Sequence, residues 1–187
     1  GPDGVQDDLV GMLLAARDED GSGMADRQIR DEIMTILLAG HETTALALFY
    51  SLHLISRHPE VEQRLLEECS GILEGRVPGP TDLDRLPFTR AIIQESMRLY
   101  PPVPGIGRAI KETRQFGDFE VRKGTQIFVM QYLVHRDQRY FHDPDEFRPE
   151  RWLDGLERQL PRCSYFPFSD GPRICIGAHF AMLEMLT

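Results

Sequence analysis

The sequence is short of positive charge: 21 Lys and Arg stand against 30 Asp and Glu, a formal net charge of -9. Such a balance lacks the basic footprint of a general nucleic-acid binder, although a local basic patch is compatible with it. Long apolar runs are also missing. The longest, Ile33 to Ala39 and Ala45 to Tyr50, are individually too short and too interrupted by polar residues to span a bilayer, so no membrane segment is expected in this chain. The opening Gly-Pro-Asp-Gly has neither a basic n-region nor an apolar h-region, so no secretory signal is expected in this stretch. Cysteine is scarce. Cys69, Cys163 and Cys175 are an odd number without CxxC spacing, which suggests neither a disulfide framework nor a zinc cluster and suits a reducing compartment. There is no internal repeat and no low-complexity tract. What is present is a 187-residue chain with 41% hydrophobic residues, enough to pack a core in the size range of a single domain.

From Asp26 to about Arg57 apolar and small residues recur at Ile29, Ile33, Ile36, Leu37, Gly40, Thr44, Ala47 and Leu48, a helical period that predicts one long, largely buried helix. His58-Pro59 ends it, and Pro59 starts a second helix through Val61, Leu65 and Leu66 that fades before Gly71. Gly75 to Pro80 reads as a loop and Asp82 to Arg85 as a short turn. Pro87 then opens a third helix, stopped by Pro101-Pro102. The texture next becomes β-prone: Phe119 to Val121 and Gln126 to Met130, separated by Lys123-Gly124, predict a hairpin in a small sheet. Residues 136–172 are rich in Asp, Pro, Arg and aromatics without a period, and read as an ordered, irregular loop broken by single helical turns. A last helix begins near Ile176 and is still running at Thr187.

Chemistry concentrates before that last helix, in Phe168-Ser-Asp-Gly171-Pro-Arg173-Ile-Cys175-Ile-Gly177. Cys175 stands at a helix mouth, where free amides and the helix dipole lower a thiol's pKa and favour the thiolate. Gly171-Pro172 supplies a tight turn, Arg173 a cation two residues before the sulfur, and Gly177 a position where a flat cofactor can lie close. An isolated cysteine is more often a small buried hydrophobe. Here Phe168, Gly171, Arg173, Cys175 and Gly177 together match the FxxGxRxCxG signature, and in this the sequence resembles the cytochrome P450 family. Ligation of haem by a cysteine thiolate is that family's known property and comes with the resemblance, not from the spacing.

Two further motifs lie in family order: Ala39-Gly40-His41-Glu42-Thr43-Thr44 in the long helix and Glu95-Ser-Met-Arg98 in the third. The fold expected is therefore mainly α with a small β-sheet (α+β), a partial cytochrome P450 fold. Residues 1–187 would be a single partial domain, the haem-binding core, without the upstream substrate-pocket segments or the C-terminal sheet. A glycine inside a helix costs about 1 kcal/mol against alanine, so Gly40 needs an offset. The resemblance implies that the backbone at Ala39-Gly40 leaves room for dioxygen, that Thr43 hydrogen-bonds it, and that Glu42 belongs to a proton-delivery path. A helix-packing glycine beside threonines that bond back to the helix is the plainer alternative. His41-Glu42 also suggests a zinc-hydrolase motif, but the second histidine would have to stand where Ala45 is.

Glu95 and Arg98 are three apart and can pair on one helix face, where an exposed pair contributes only a few tenths of a kcal/mol. The resemblance implies a buried pair joined by an arginine of Phe147-Arg-Pro-Glu-Arg151-Trp152, at Arg151 with Arg148 as the alternative, in a structural network. It also implies that Arg108 and Arg173 meet the haem propionates. His135 reads as a polar loop residue and not a ligand.

The activity implied is a haem-thiolate monooxygenase. It would use haem b (iron protoporphyrin IX), dioxygen, and two electrons from a ferredoxin, flavodoxin or reductase-type donor to hydroxylate or epoxidise an apolar small molecule. The alternatives are a peroxide-using or isomerising haem-thiolate enzyme, which needs no relay such as Glu42-Thr43, and a non-enzymatic haem protein, for which no second axial ligand is evident. The segment by itself is expected to be inactive. The expected setting is the cytoplasm of a bacterium, with a membrane anchor on a preceding segment left open.

Overall fold

In the computed structural model, which describes residues 8–187, helices α1 (Leu9–Ala15), α2 (Asp26–Ser56), α3 (Pro59–Leu73) and α4 (Pro87–Leu99) come first, with a 3-10 turn at Pro80–Arg85 before α4. Strands β1 (Ile106–Ala109), β2 (Arg114–Phe116), β3 (Phe119–Val121) and β4 (Gln126–Val129) follow. The chain continues through α5 (Gln131–Val134), a 3-10 turn at Pro149–Trp152, α6 (Leu156–Gln159), a 3-10 turn at Gly171–Arg173 and α7 (Ala178–Leu186). Packing divides it into two compact units, one ending at Glu42 and one spanning Thr43–Thr187, with α2 running through the boundary. In the first unit α1, which had no clear sequence signal, is capped by Asp8, whose Oδ1 accepts the Gly11 N–H at 2.8 Å.

The second unit is organised around α4. Its first turn is closed by a residue of α3: the Glu68 carboxylate accepts the backbone N–H groups of Phe88 and Thr89, each at 2.8 Å, and the Thr89 hydroxyl at 2.7 Å. Pro87 has no N–H to satisfy, so the carboxylate neutralises the next donors at the positive end of the helix. From there α4 buries side chains all round. Phe88, Ile92 and Leu99 pack with Leu54, Val61 and Phe147; Ile93 and Met97 pack with Ala47, Met185 and Leu186; Ala91 packs with Phe141 and Trp152.

Four sequence expectations change. First, α2 has the expected length, but it is not largely buried: among the described residues its buried positions are Ile29, Thr44, Ala47, Ser51 and Leu54, while Leu37 and Leu38 are exposed. Periodicity shows which face is apolar, not what covers it. Second, the apolar stretches judged singly as too short to span a bilayer are joined in one 31-residue helix. By length and composition alone that helix could cross a membrane, although Ala47 and Leu54 lie in the packed core of the second unit. Third, α3 runs past Gly71 to Leu73 and ends on Glu74 in the left-handed region, φ 51°. Fourth, the expected strands form, yet they do not pair with each other. β2 pairs with β3 through a tight connection in which Gly117 has φ 56°, and β1 pairs with β4, giving two two-stranded ladders. Gly117-Asp118 is the better turn pair, and Gly124, with φ 87°, instead donates its N–H to the Ile110 carbonyl at 2.8 Å.

Candidate haem-thiolate site

Glu95 and Arg98 are both completely buried. The Arg98 Nε and Nη2 donate to the two Glu95 oxygens at 2.9 Å each. Nη1 donates to the carbonyls of His135 (2.8 Å) and Pro144 (2.6 Å), and Nη2 also to that of Glu146 (3.1 Å). All the N–H donors of the guanidinium are thus used. Glu95 further accepts Arg151 Nε at 2.9 Å, Trp152 Nε1 at 2.8 Å and the backbone N–H of Arg148 at 3.0 Å. The geometry therefore separates the two candidate arginines. Arg151 brings its side chain to the carboxylate, whereas Arg148 contributes its backbone and turns its guanidinium to Asp143 at 2.9 Å. A buried charge pair persists only with such complete partnering. Through it the helix holds a loop with little secondary structure of its own.

The cysteine segment leaves this scaffold through Phe168, which packs against the cluster of Ala47, Ile93, Met97 and Met185. Gly171 has φ 75° and its N–H is taken by the Asp170 carboxylate, which Arg162 also pairs with at 2.9 Å. The chain then reverses so that the Cys175 N–H donates to the Phe168 carbonyl at 2.9 Å. Cys175 lies just ahead of α7, whose N-cap is Gly177, and a Cβ placed on Gly177 would stand 3.9 Å from the Cys175 sulfur.

A thiolate-ligated haem requires an accessible sulfur, apolar surface beside it and cations for its propionates. Cys175 is exposed, its neighbours Ile174 and Ile176 are 58% and 98% exposed, and Phe180 on the first turn of α7 is 68% exposed. These open apolar side chains beside the sulfur are surface that a haem could cover. The exposed Arg173 supplies a cation. The residues present fit the group.

The remaining expected site residues fall elsewhere. Arg108 is exposed on β1 and its Nη1 donates to the Gly107 carbonyl at 2.8 Å. Ala39, Gly40 and Glu42 lie on exposed turns of α2, and among the described residues a Cβ on Gly40 would meet nothing within 4 Å. Thr43 is half-buried, and Thr44 is buried at 6% exposure.

Two residues escaped the sequence reading. His135, expected as a polar loop residue, is completely buried, and its Nε2 accepts the Phe166 N–H at 3.0 Å. Gln131, also completely buried, donates from Nε2 to the Phe166 carbonyl at 2.8 Å. Their i, i+4 spacing was the available signal, but it is shared by many surface pairs.

A helical scaffold with a saturated Glu-Arg pair and an open cysteine loop ahead of α7 is compatible with a haem-thiolate type of protein. The comparisons agree. The sequence model for cytochrome P450 matches residues 3–187. Cytochrome P450 4V2 of Mus musculus is 39% identical over 182 residues, covering 96% of this chain and 34% of the relative. Cyclooctatin synthase of Streptomyces melanosporofaciens is 39% identical over 183 residues, covering 97% of this chain and 40% of the relative. Among solved structures the cytochrome P450DA heme domain superposes with a TM-score of 0.90 at 35% identity, covering 96% of this chain and 40% of that one. The chain belongs to the cytochrome P450 family and spans well under half the length of these relatives.

Proposed function

We propose that the full-length protein carrying this chain is a monooxygenase with haem b held through Cys175. A bound haem would supply the chemistry of dioxygen reduction with two electrons and two protons, one oxygen atom entering a C–H or double bond of an apolar substrate and the other leaving as water. The observation that carries this reading is the Cys175 loop, an accessible sulfur fixed by its own backbone and flanked by open apolar side chains.

The chain's own residues would act as follows. Cys175 binds as the thiolate, Gly177 keeps the approach to the sulfur clear, and Arg108 and Arg173 offset the negative charge of the propionates. Gly40 leaves open space beside α2, and the Thr43 hydroxyl and Glu42 carboxylate deliver protons there. Glu95, Arg98 and Arg151 hold the scaffold and touch no reactant. Electrons come from a ferredoxin, flavodoxin or reductase-type donor. Relatives in Mus musculus, Drosophila melanogaster and Streptomyces melanosporofaciens are of comparable similarity. The setting proposed is the bacterial cytoplasm, which fractionation of the full-length protein tests.

The central test is spectroscopic. The reduced carbon monoxide complex of the full-length protein should show the red-shifted Soret band of thiolate ligation, and Cys175→His should lose it. An unchanged band in that variant overturns the assignment.

A further inference from the structure

Both backbone polar groups of one buried residue, Phe166, are held by side chains from a single helical turn. His135 takes its N–H at 3.0 Å, and Gln131 gives a hydrogen bond to its C=O at 2.8 Å. The two are joined in turn, because the His135 N–H donates to the Gln131 carbonyl at 2.8 Å. The His135 carbonyl is one of the acceptors of the Arg98 guanidinium, also at 2.8 Å. On the other side the Phe166 carbonyl accepts the Ser169 N–H at 2.9 Å, and two residues on, the Phe168 carbonyl accepts the Cys175 N–H at 2.9 Å. An unbroken path therefore runs from the buried ion pair through His135 to the backbone that carries the sulfur.

We infer that Gln131 and His135 are positioning residues, a two-point clamp on the Phe166 backbone that sets the place of the Cys175 loop relative to the Glu95–Arg98 pair. The sulfur-directed half of this inference rests on Cys175 being the haem ligand; the clamp itself does not.

The choice of residues supports a positioning role over simple packing. Among the described residues Gln131 Oε1 is buried without a hydrogen-bond partner, a desolvation cost that an apolar side chain of similar size would avoid. Accepting an N–H without adding a charge beside Arg98 requires a neutral ring with a free lone pair. Burial first, and then the nearby Arg98 and Arg136, push the His135 pKa down to about 4, so the ring is neutral at physiological pH. Phe166 also packs edge-on against the imidazole, with ring centroids 5.2 Å apart, so its side chain and both of its backbone groups meet the same turn.

Two readouts test the clamp in the full-length protein: hydrogen–deuterium exchange of a peptide spanning residues 163–177 against one spanning 87–99, and the fraction of thiolate band in the reduced carbon monoxide spectrum. His135→Leu and Gln131→Met should each accelerate exchange in 163–177 at least tenfold while 87–99 stays as in wild type, and each should lower the thiolate fraction. His135→Gln, which keeps an acceptor at similar reach, should restore most of both. Should His135→Leu not fold, Gln131→Met, which retains the imidazole, decides by the same comparison. Equal acceleration in both peptides, no acceleration in 163–177, or no rescue by His135→Gln overturns the clamp. Absence of a thiolate band in wild type would defeat the proposed ligand alone, and the exchange result would still decide the clamp.

Discussion

Glu95 and Cys175 sit at opposite extremes of the same unit. The first is completely buried and accepts hydrogen bonds from Arg98, Arg148, Arg151 and Trp152, while the second is exposed and is held in place by its backbone. The buried residue has no reach to any reactant, and the exposed one has no part in the packed core. Substitution at Glu95 should therefore register as lost folding, and substitution at Cys175 as lost chemistry. His135 and Gln131 lie between them along the hydrogen-bond path, His135 offering its carbonyl to Arg98 and both side chains bonding the Phe166 backbone.

The largest effect expected on this contrast is at Glu95. Glu95→Ala leaves the Arg98 charge buried and unpaired, which costs roughly 3–5 kcal/mol, and little haem-loaded protein should be recovered. The two neighbouring arginines sharpen the point. Arg151→Ala should lose a large part of that stability, whereas Arg148→Ala, which leaves the backbone N–H to Glu95 in place, should stay within about 0.5 kcal/mol in denaturant titration. Full recovery of loaded, active Glu95→Ala protein would make the network dispensable and dissolve the comparison.

A smaller effect is expected from acid. His135 takes up a proton near pH 6.5 when unfolded but only near pH 4 when folded, so unfolding binds a proton between those values. Stability is full above about pH 6.5 and falls as the pH drops from 6.5 to 4, by on the order of 3 kcal/mol, since one pKa unit is worth 1.36 kcal/mol. The difference between the denaturation curves of wild type and His135→Gln across that window isolates the residue. Parallel curves would show that the ring is not the source of the pH dependence.

The smallest effect on stability, and the most specific on chemistry, is expected at Thr43. Thr43→Ala should leave haem loading and melting temperature within experimental scatter. It should also release more hydrogen peroxide and form less product per electron consumed. Thr44 is the control. It is turned about 100° further round the helix and is buried at 6% exposure, so Thr44→Ala should cost stability and leave the coupling of electrons to product intact. The reverse pattern would move the proton-delivery role to Thr44.

The helices of the second unit and the cysteine motif were legible because their signals are local. Apolar period, proline starts and stops, and FxxGxRxCxG all lie within one element or one loop. Strand pairing was not local. β3 and β4 were found as strands, but their partners β1 and β2 contain Gly107, Arg108, Arg114 and Gln115 and carry little β signature, so the choice of ladder rested on which turn was the tighter. The charged network divides in the same way. That Glu95 and Arg98 pair follows from three-residue spacing. That the pair is buried, and that Arg151 and not Arg148 brings a side chain to it, depended on where the irregular loop returns to α4, 53 to 57 residues along the chain. The sequence by itself determined the long helices and the motif that singles out Cys175, because hydrogen bonding and amphipathicity within a segment need only neighbouring residues. Tertiary structure alone decided that only part of α2 is covered and that a loop histidine is buried against the cysteine segment. Burial is a property of what packs against a residue, and here the packing partner comes from another part of the chain.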